Sequence, residues 1–240
     1  MVNKSITISR PYPKQWSCGE SRMISFFVEG EETGIRKLLQ QTPFEFISAD
    51  YQLWLCSLHG HTLALDGAYL ECAATIPVRY KGQVGGFSPY MYCTCVDAIL
   101  AGREIYGYPK RLCEMDWIET PLAICSRVNA DGKTLVKTAF VPMDGESEEM
   151  ERIERLEKQT EKRLTLKQSI SPDTNDEAVS QVLYRDLARK TTSAFCGRGY
   201  VELNELPGHF VHQLGMKRII GSKFTTSSYG GGNESVAALD

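Results

Sequence analysis

The chain lacks any window approaching the roughly 18 apolar residues that a bilayer-spanning helix needs, and its opening MVNKSITISRPYPKQW has no apolar core of a secretory signal. Both absences point to a cytoplasmic protein with no membrane partner. Excess charge of one sign is lacking too. The 27 Lys and Arg against 30 Asp and Glu leave a formal charge of -3, which argues against nucleic acid or an anionic membrane as the main partner. No C-x-x-C pair occurs among the eight cysteines, Cys18, Cys56, Cys72, Cys93, Cys95, Cys113, Cys125 and Cys196, which disfavours a zinc site and a disulfide framework. They read as buried, reduced thiols. Cys93 and Cys95 share one side of a strand, where core packing accounts for them. Internal repeats and a dividing linker are also missing, so residues 1–240 are read as one domain.

What is present is short, aromatic and β-branched. SRMISFFVEG (Ser21–Gly30) reads as a strand, and EETGIRKLLQQTP after it as a short helix stopped near Pro43. From Phe44 to Val96 several short runs separated by Gly, Asp or Pro predict antiparallel β structure. NADGKT, within Asp116–Met143, predicts the tight turn of a hairpin. The charged run Glu146–Leu164 has a thin apolar stripe of Met150, Ile153, Leu156 and Leu164 with pairs such as Glu151 and Arg155, the pattern of an exposed helix or of a partner-binding one. SISPDTNDEA reads as a loop, and AVSQVLYRDLARK fits either period. The last stretch, after Ser222, reads as a tail that is flexible or held by a partner subunit.

The chemistry concentrates in GREIYGYPKRL (Gly102–Leu112), where Lys110 stands beside Arg111 in a stiff, glycine-punctuated turn. A lysine near its reference pKa of about 10.4 is protonated at neutral pH and cannot attack a carbonyl; burial or a neighbouring cation favours the free amine. Glu71 sits in the otherwise apolar run ECAATIPVRYKG, where a carboxylate is expensive without a task or partner. His59 and His61 have strand spacing but no third ligand motif, so no metal is expected. His209 could serve a pocket as a proton shuttle or cap a turn, and Tyr106 and Tyr108 could face the same pocket or pack as aromatics.

These two motifs, with AFCGRGYVELNELPGHFVHQLGMKRIIGS (Ala194–Ser222) downstream, resemble the acetoacetate decarboxylase family. The resemblance implies an α+β fold dominated by an antiparallel β barrel or cone with a few peripheral helices, assembled as a homo-oligomer. It also implies a cofactor-independent carbon-carbon lyase. Lys110 would form an imine with the substrate, Arg111 would take the place of a pKa-perturbing second lysine, and Glu71 would be the active-site carboxylate. A second family acid falls at Cys56. The family's amino-terminal arginine aligns with Ser21; Arg22, the substrate-binding candidate, is one step away, and a one-residue slip turns a strand side chain to the other face. Arg103 and Glu104 are expected to pair and hold the turn. The implied reaction is decarboxylation of a β-keto acid through a covalent imine. Aldolase or aldolase-dehydratase chemistry on the same lysine, and non-catalytic binding of a small molecule, are the alternatives.

Overall fold

The computed structural model describes residues 16–62, 67–145, 147–169, 179–209, 211–230 and 235–239. Strand β1 (Ser17–Glu29) leads into helix α1 (Glu32–Leu39), whose Ile35 and Leu39 turn inward. There follow β2 (Glu45–Phe46), β3 (Asp50–His59), β4 (Ala68–Tyr80), β5 (Gln83–Phe87), β6 (Met91–Cys93), helix α2 (Val96–Glu104) and β7 (Lys110–Leu112). The second half holds β8 (Glu114–Glu119), β9 (Ile124–Ala130), β10 (Lys133–Pro142), helix α3 (Met150–Thr160), β11 (Arg163–Ser169), β12 (Val179–Asp186), β13 (Lys190–Leu203), a short 3-10 turn (Val211–Leu214), β14 (Arg218–Gly230) and β15 (Ser235–Leu239).

All the strands join one sheet in the order β15-β12-β11-β5-β4-β3-β1-β14-β13-β10-β9-β8, with β2 on β4 and with β6 between β4 and β7. Only β5 with β11 and β6 with β7 run parallel; the other ladders are antiparallel. The architecture is therefore the expected α+β one, a large, mostly antiparallel sheet with three α-helices among the described residues, where no ladder joins the end strands β15 and β8. Strand β3 explains how such a sheet encloses a site. Its interior is buried on both faces, with Leu53 and Leu55 in the main core and Trp54, Cys56 and Leu58 in a second cluster with Tyr69, Met91, Ala98, Tyr106 and Tyr108. Side chains alternate across a strand, so one run of consecutive apolar residues builds two cores. Each fully buried leucine contributes roughly 1.5–3 kcal/mol.

Local signals in the sequence account for several boundaries. Asp131 (φ 51°) and Gly132 (φ 72°) form the two-residue turn between β9 and β10, both in the left-handed region that a hairpin of this kind requires. The charged run forms α3, but its last part opens β11 at Arg163 instead of continuing as helix. The α3 stripe of Ile153 and Leu156 packs on Phe27 and Ile220, which leaves that face covered by the chain's own sheet and not offered to a partner helix. Arg152 pins the same helix by donating to Asp50. Residues 179–186 form strand β12, and 187–189 the turn into β13, so this stretch is not helix. Within the tail, Ser235–Leu239 pairs with β12 in cis; the loop reading of SISPDTNDEA falls, apart from Ser169, outside the described residues. The cysteines are free, but Cys125 is exposed and Cys95 and Cys196 are only half-buried, a correction to their reading as uniformly buried. No helix among the described residues is long and apolar enough to cross a membrane.

Candidate active site

Lys110 is delivered by a short device that follows α2. Residues 96–104 form a helix, and the chain then reverses through Gly107 at φ 70°. The Tyr108 amide donates to the Gly102 carbonyl (2.9 Å), and the Lys110 amide donates to the Tyr108 carbonyl (2.8 Å), spanning Pro109 in a tight turn. Gly107 is required for space as well as for its φ, because a Cβ there would lie 2.8 Å from the backbone of Lys167. Arg103 donates to the Lys110 carbonyl (3.2 Å) and so holds the turn through the backbone. Gly102 faces the lysine stem: a Cβ on it would come within 2.7 Å of Lys110 Cδ.

The side chain of Lys110 points into the second core, where its Nζ donates to Glu71 Oε1. The two lie on different strands. Glu71 on β4 faces Cys93 on β6, and Lys110 on β7 faces Met91 on β6, so the contact runs diagonally over one intervening strand. Lys110 is 8% exposed and Glu71 6%. Burial is the largest single influence and presses the Lys110 ammonium toward the free amine, but the charge and hydrogen bond of Glu71, with Cys93 and Tyr108 acting the same way, together leave its pKa above the usual lysine range. Both residues line a cavity of about 60 Å³ with Tyr106, Tyr108, Tyr69, Trp54 and Met91. At roughly 10–15 Å³ per water that is room for a small organic acid.

Three of the residues expected in the site lie elsewhere. Arg111 follows Lys110 in a strand and so takes the opposite face, where its guanidinium reaches the Gly208 carbonyl outside the cavity. It is not among the main influences on Lys110. Arg22 pairs with Glu119 on the far side of β1, as the one-residue offset from buried Ser21 requires. His209 is buried between Tyr92 (3.0 Å) and Asp131 (3.1 Å), closing the β9–β10 turn and not facing the lysine. Lys110, Glu71, Tyr106 and Tyr108 are brought together; Arg111, Arg22 and His209 are not.

The acetoacetate decarboxylase family model matches residues 4–238. The chain belongs to the acetoacetate decarboxylase family. A curated acetoacetate decarboxylase from Burkholderia mallei is 46% identical over 48 residues, a stretch that spans 20% of this chain and 20% of that protein. The solved acetoacetate decarboxylase of Legionella pneumophila superposes with a TM-score of 0.80 at 19% identity, covering 98% of this chain and 94% of its own. The enduracididine biosynthesis enzyme MppR, solved with the condensation product of pyruvate and imidazole 4-carboxaldehyde, superposes with a TM-score of 0.73 at 9% identity, covering 93% and 89%.

Within this acetoacetate decarboxylase fold the cavity holds residues that sequence reasoning missed. Arg163 at the start of β11, and Arg185 and Arg189 around the β12–β13 turn, all line it. The Arg185 guanidinium stacks over the Tyr106 ring (3.7 Å) and stands 5.1 Å from the centre of Tyr108. Arg163 is 8% exposed; burial, with Arg189 and Arg185 nearby, pushes its pKa down to about 10, which leaves it charged at neutral pH. The only available signal was their clustering in two short segments, and it reads as ordinary surface charge. Cys56 pairs in register with Glu71 and also lines the cavity; burial, then the Glu71 charge, raises its thiol well above the usual range. His61, in LHGHT, is buried and stacked on Trp16 (4.9 Å). Its former companion His59 turns to Ser57 Oγ (2.8 Å).

Proposed function

We propose that this member of the acetoacetate decarboxylase family is a cofactor-independent lyase that decarboxylates a β-keto acid through an imine on Lys110. The observation that carries the reading is the buried contact of Lys110 with Glu71 inside a cavity of small-acid size. In the resting enzyme Lys110 is an ammonium ion, and Glu71 is already at hydrogen-bond distance to accept its proton. The freed amine adds to the substrate ketone. Glu71 returns the proton to the departing hydroxyl, water leaves, and a protonated imine forms. The bond to the β-carboxylate then breaks, its electron pair passes to the imine nitrogen, and carbon dioxide departs. One proton from solvent converts the enamine to an imine of the product, and water hydrolyses it to restore the Lys110 ammonium.

Trapping with borohydride tests this reading. Lys110 is expected to gain the mass of a reduced imine with a keto acid, and Lys110→Ala to gain none; no adduct with any ketone, pyruvate or β-keto acid sinks the proposal. Aldol chemistry on the same lysine is a second reading, favoured by the arginines in the cavity, which would hold a carboxylate that is never lost. An adduct without carbon dioxide release selects it. Mild acidity and eight free cysteines support a cytoplasmic setting, and the family relationship supports a homo-oligomer.

A further inference from the structure

Glu71 is the only carboxylate that lines the cavity among the described residues, and its charge is matched by Lys110. Arg163, Arg185 and Arg189 line the same cavity. Arg163 is the most demanding of the three. Its Nη1 is buried with no hydrogen-bond partner, and no described carboxylate lies within ion-pair distance of the side chain. The space for that nitrogen is built in: β11 meets β5 at Gly86, where a Cβ would lie 2.9 Å from Nη1. A buried guanidinium kept in this state is matched by a ligand anion. Arg163 and Arg189 also line an outer basin of about 450 Å³, shared with Glu157, Glu161 and Asp186, which lies between the cavity and solvent.

The identity of that anion follows from what decarboxylation needs. A carboxylate that leaves as carbon dioxide loses its charge on the way to the transition state, so a guanidinium clamped on it would stabilise the ground state and slow the reaction. An arginine in this cavity is useful only against a carboxylate that stays. We infer that the substrate is a keto dicarboxylic acid: Arg163 holds the retained carboxylate, and the second carboxylate, β to the reacting carbonyl, lies against the apolar wall of Trp54, Met91 and Ala98. This inference rests on the imine reading above and deepens it. Loss of carbon dioxide would leave a keto monocarboxylate still anchored at Arg163, released after hydrolysis of the imine.

Dose-dependent trapping with cyanoborohydride, which spares free ketones, separates the possibilities. Oxaloacetate is the dicarboxylate probe and acetoacetate the monocarboxylate. The expected result is half-labelling of Lys110 at a concentration at least tenfold lower for oxaloacetate, counting adducts before and after carbon dioxide loss. Arg163→Gln should abolish that preference while acetoacetate still labels Lys110, and Arg163→Lys should keep part of it. In the native chain succinate, which has no ketone, should protect Lys110 from acetoacetate, whereas butyrate should not. Equal labelling by the two keto acids, an unchanged preference in Arg163→Gln, or no protection by succinate overturns the dicarboxylate inference and leaves the imine intact. Absence of labelling by every carbonyl compound overturns both.

Discussion

Lys110 and Glu71 meet diagonally across β6, each more than nine-tenths buried, and the carboxylate is the main influence that opposes burial in setting the charge of the amine. Glu71→Gln removes the main opposing influence and leaves burial to dominate. The amine is then expected to become nucleophilic at a lower pH, seen as a fall in the midpoint of Lys110 labelling against pH. Turnover should nevertheless drop by roughly 10²-fold or more, because the proton acceptor is gone. In the native protein the folded pKa of Lys110 lies above its unfolded value of about 10.4, so the pair stabilises the fold below that pH and loses its effect only as pH rises through the folded value. A labelling midpoint that stays put or rises would show that Glu71 does not hold the proton.

Gly102→Ala separates stability from chemistry. Alanine is favoured over glycine inside a helix by about 1 kcal/mol, yet its Cβ would stand 2.7 Å from Lys110 Cδ and 2.9 Å from Cε. The lysine stem is flexible and the helix is not, so the stem should move and lose Glu71. A thermal midpoint within a few degrees of native, together with at least a tenfold loss of imine trapping, is the expected pair of results. Normal trapping would mean that the stem has another path to the cavity.

Much of this arrangement was written in local sequence. The apolar ECAATIPV run made the charge at Glu71 conspicuous, and the Gly, Pro and aromatic pattern before Lys110 marked a constrained turn. Strand periodicity also located β1 and the hairpin at Asp131. What local sequence did not reveal was which faces converge. Arg163, Arg185 and Arg189 come from β11, β12 and the turn after β12, strands that reach the site through the ladders linking β12 to β11, β11 to β5 and β5 to β4. Helix α2 escaped notice because its sequence, VDAILAGRE, has neither a side-chain cap nor a clear apolar stripe. Adjacency misled at Arg111, where two neighbouring cations in sequence occupy opposite faces in space.

Arg111→Gln follows from that geometry. Its guanidinium is spent on the Gly208 carbonyl, so the substitution should leave the pH profile of Lys110 labelling unchanged. The effect belongs instead to the turn before β14, where loss of the contact should raise amide exchange around residues 206–209. A rise of the labelling midpoint in Arg111→Gln would restore Arg111 as the charge that activates Lys110.

His61 gives the fold a sensitivity to acid. Burial is the main reason its pKa is pushed down to about 4, with Glu71 acting upward and Lys110 downward as lesser influences. The unfolded histidine titrates near 6.5, so between that pH and about 4 the unfolded chain binds a proton that the folded chain refuses. Stability is therefore complete above the unfolded value and falls as pH drops toward the folded one, by at most about 3 kcal/mol. Surface carboxylates titrate in the lower part of this window, so the useful quantity is the difference between native protein and His61→Gln. Urea unfolding at pH 7, 6 and 5 is expected to show native stability falling relative to the variant at each step. Parallel pH dependence in the two proteins would mean that His61, despite its stack on Trp16, takes up its proton without leaving the folded state.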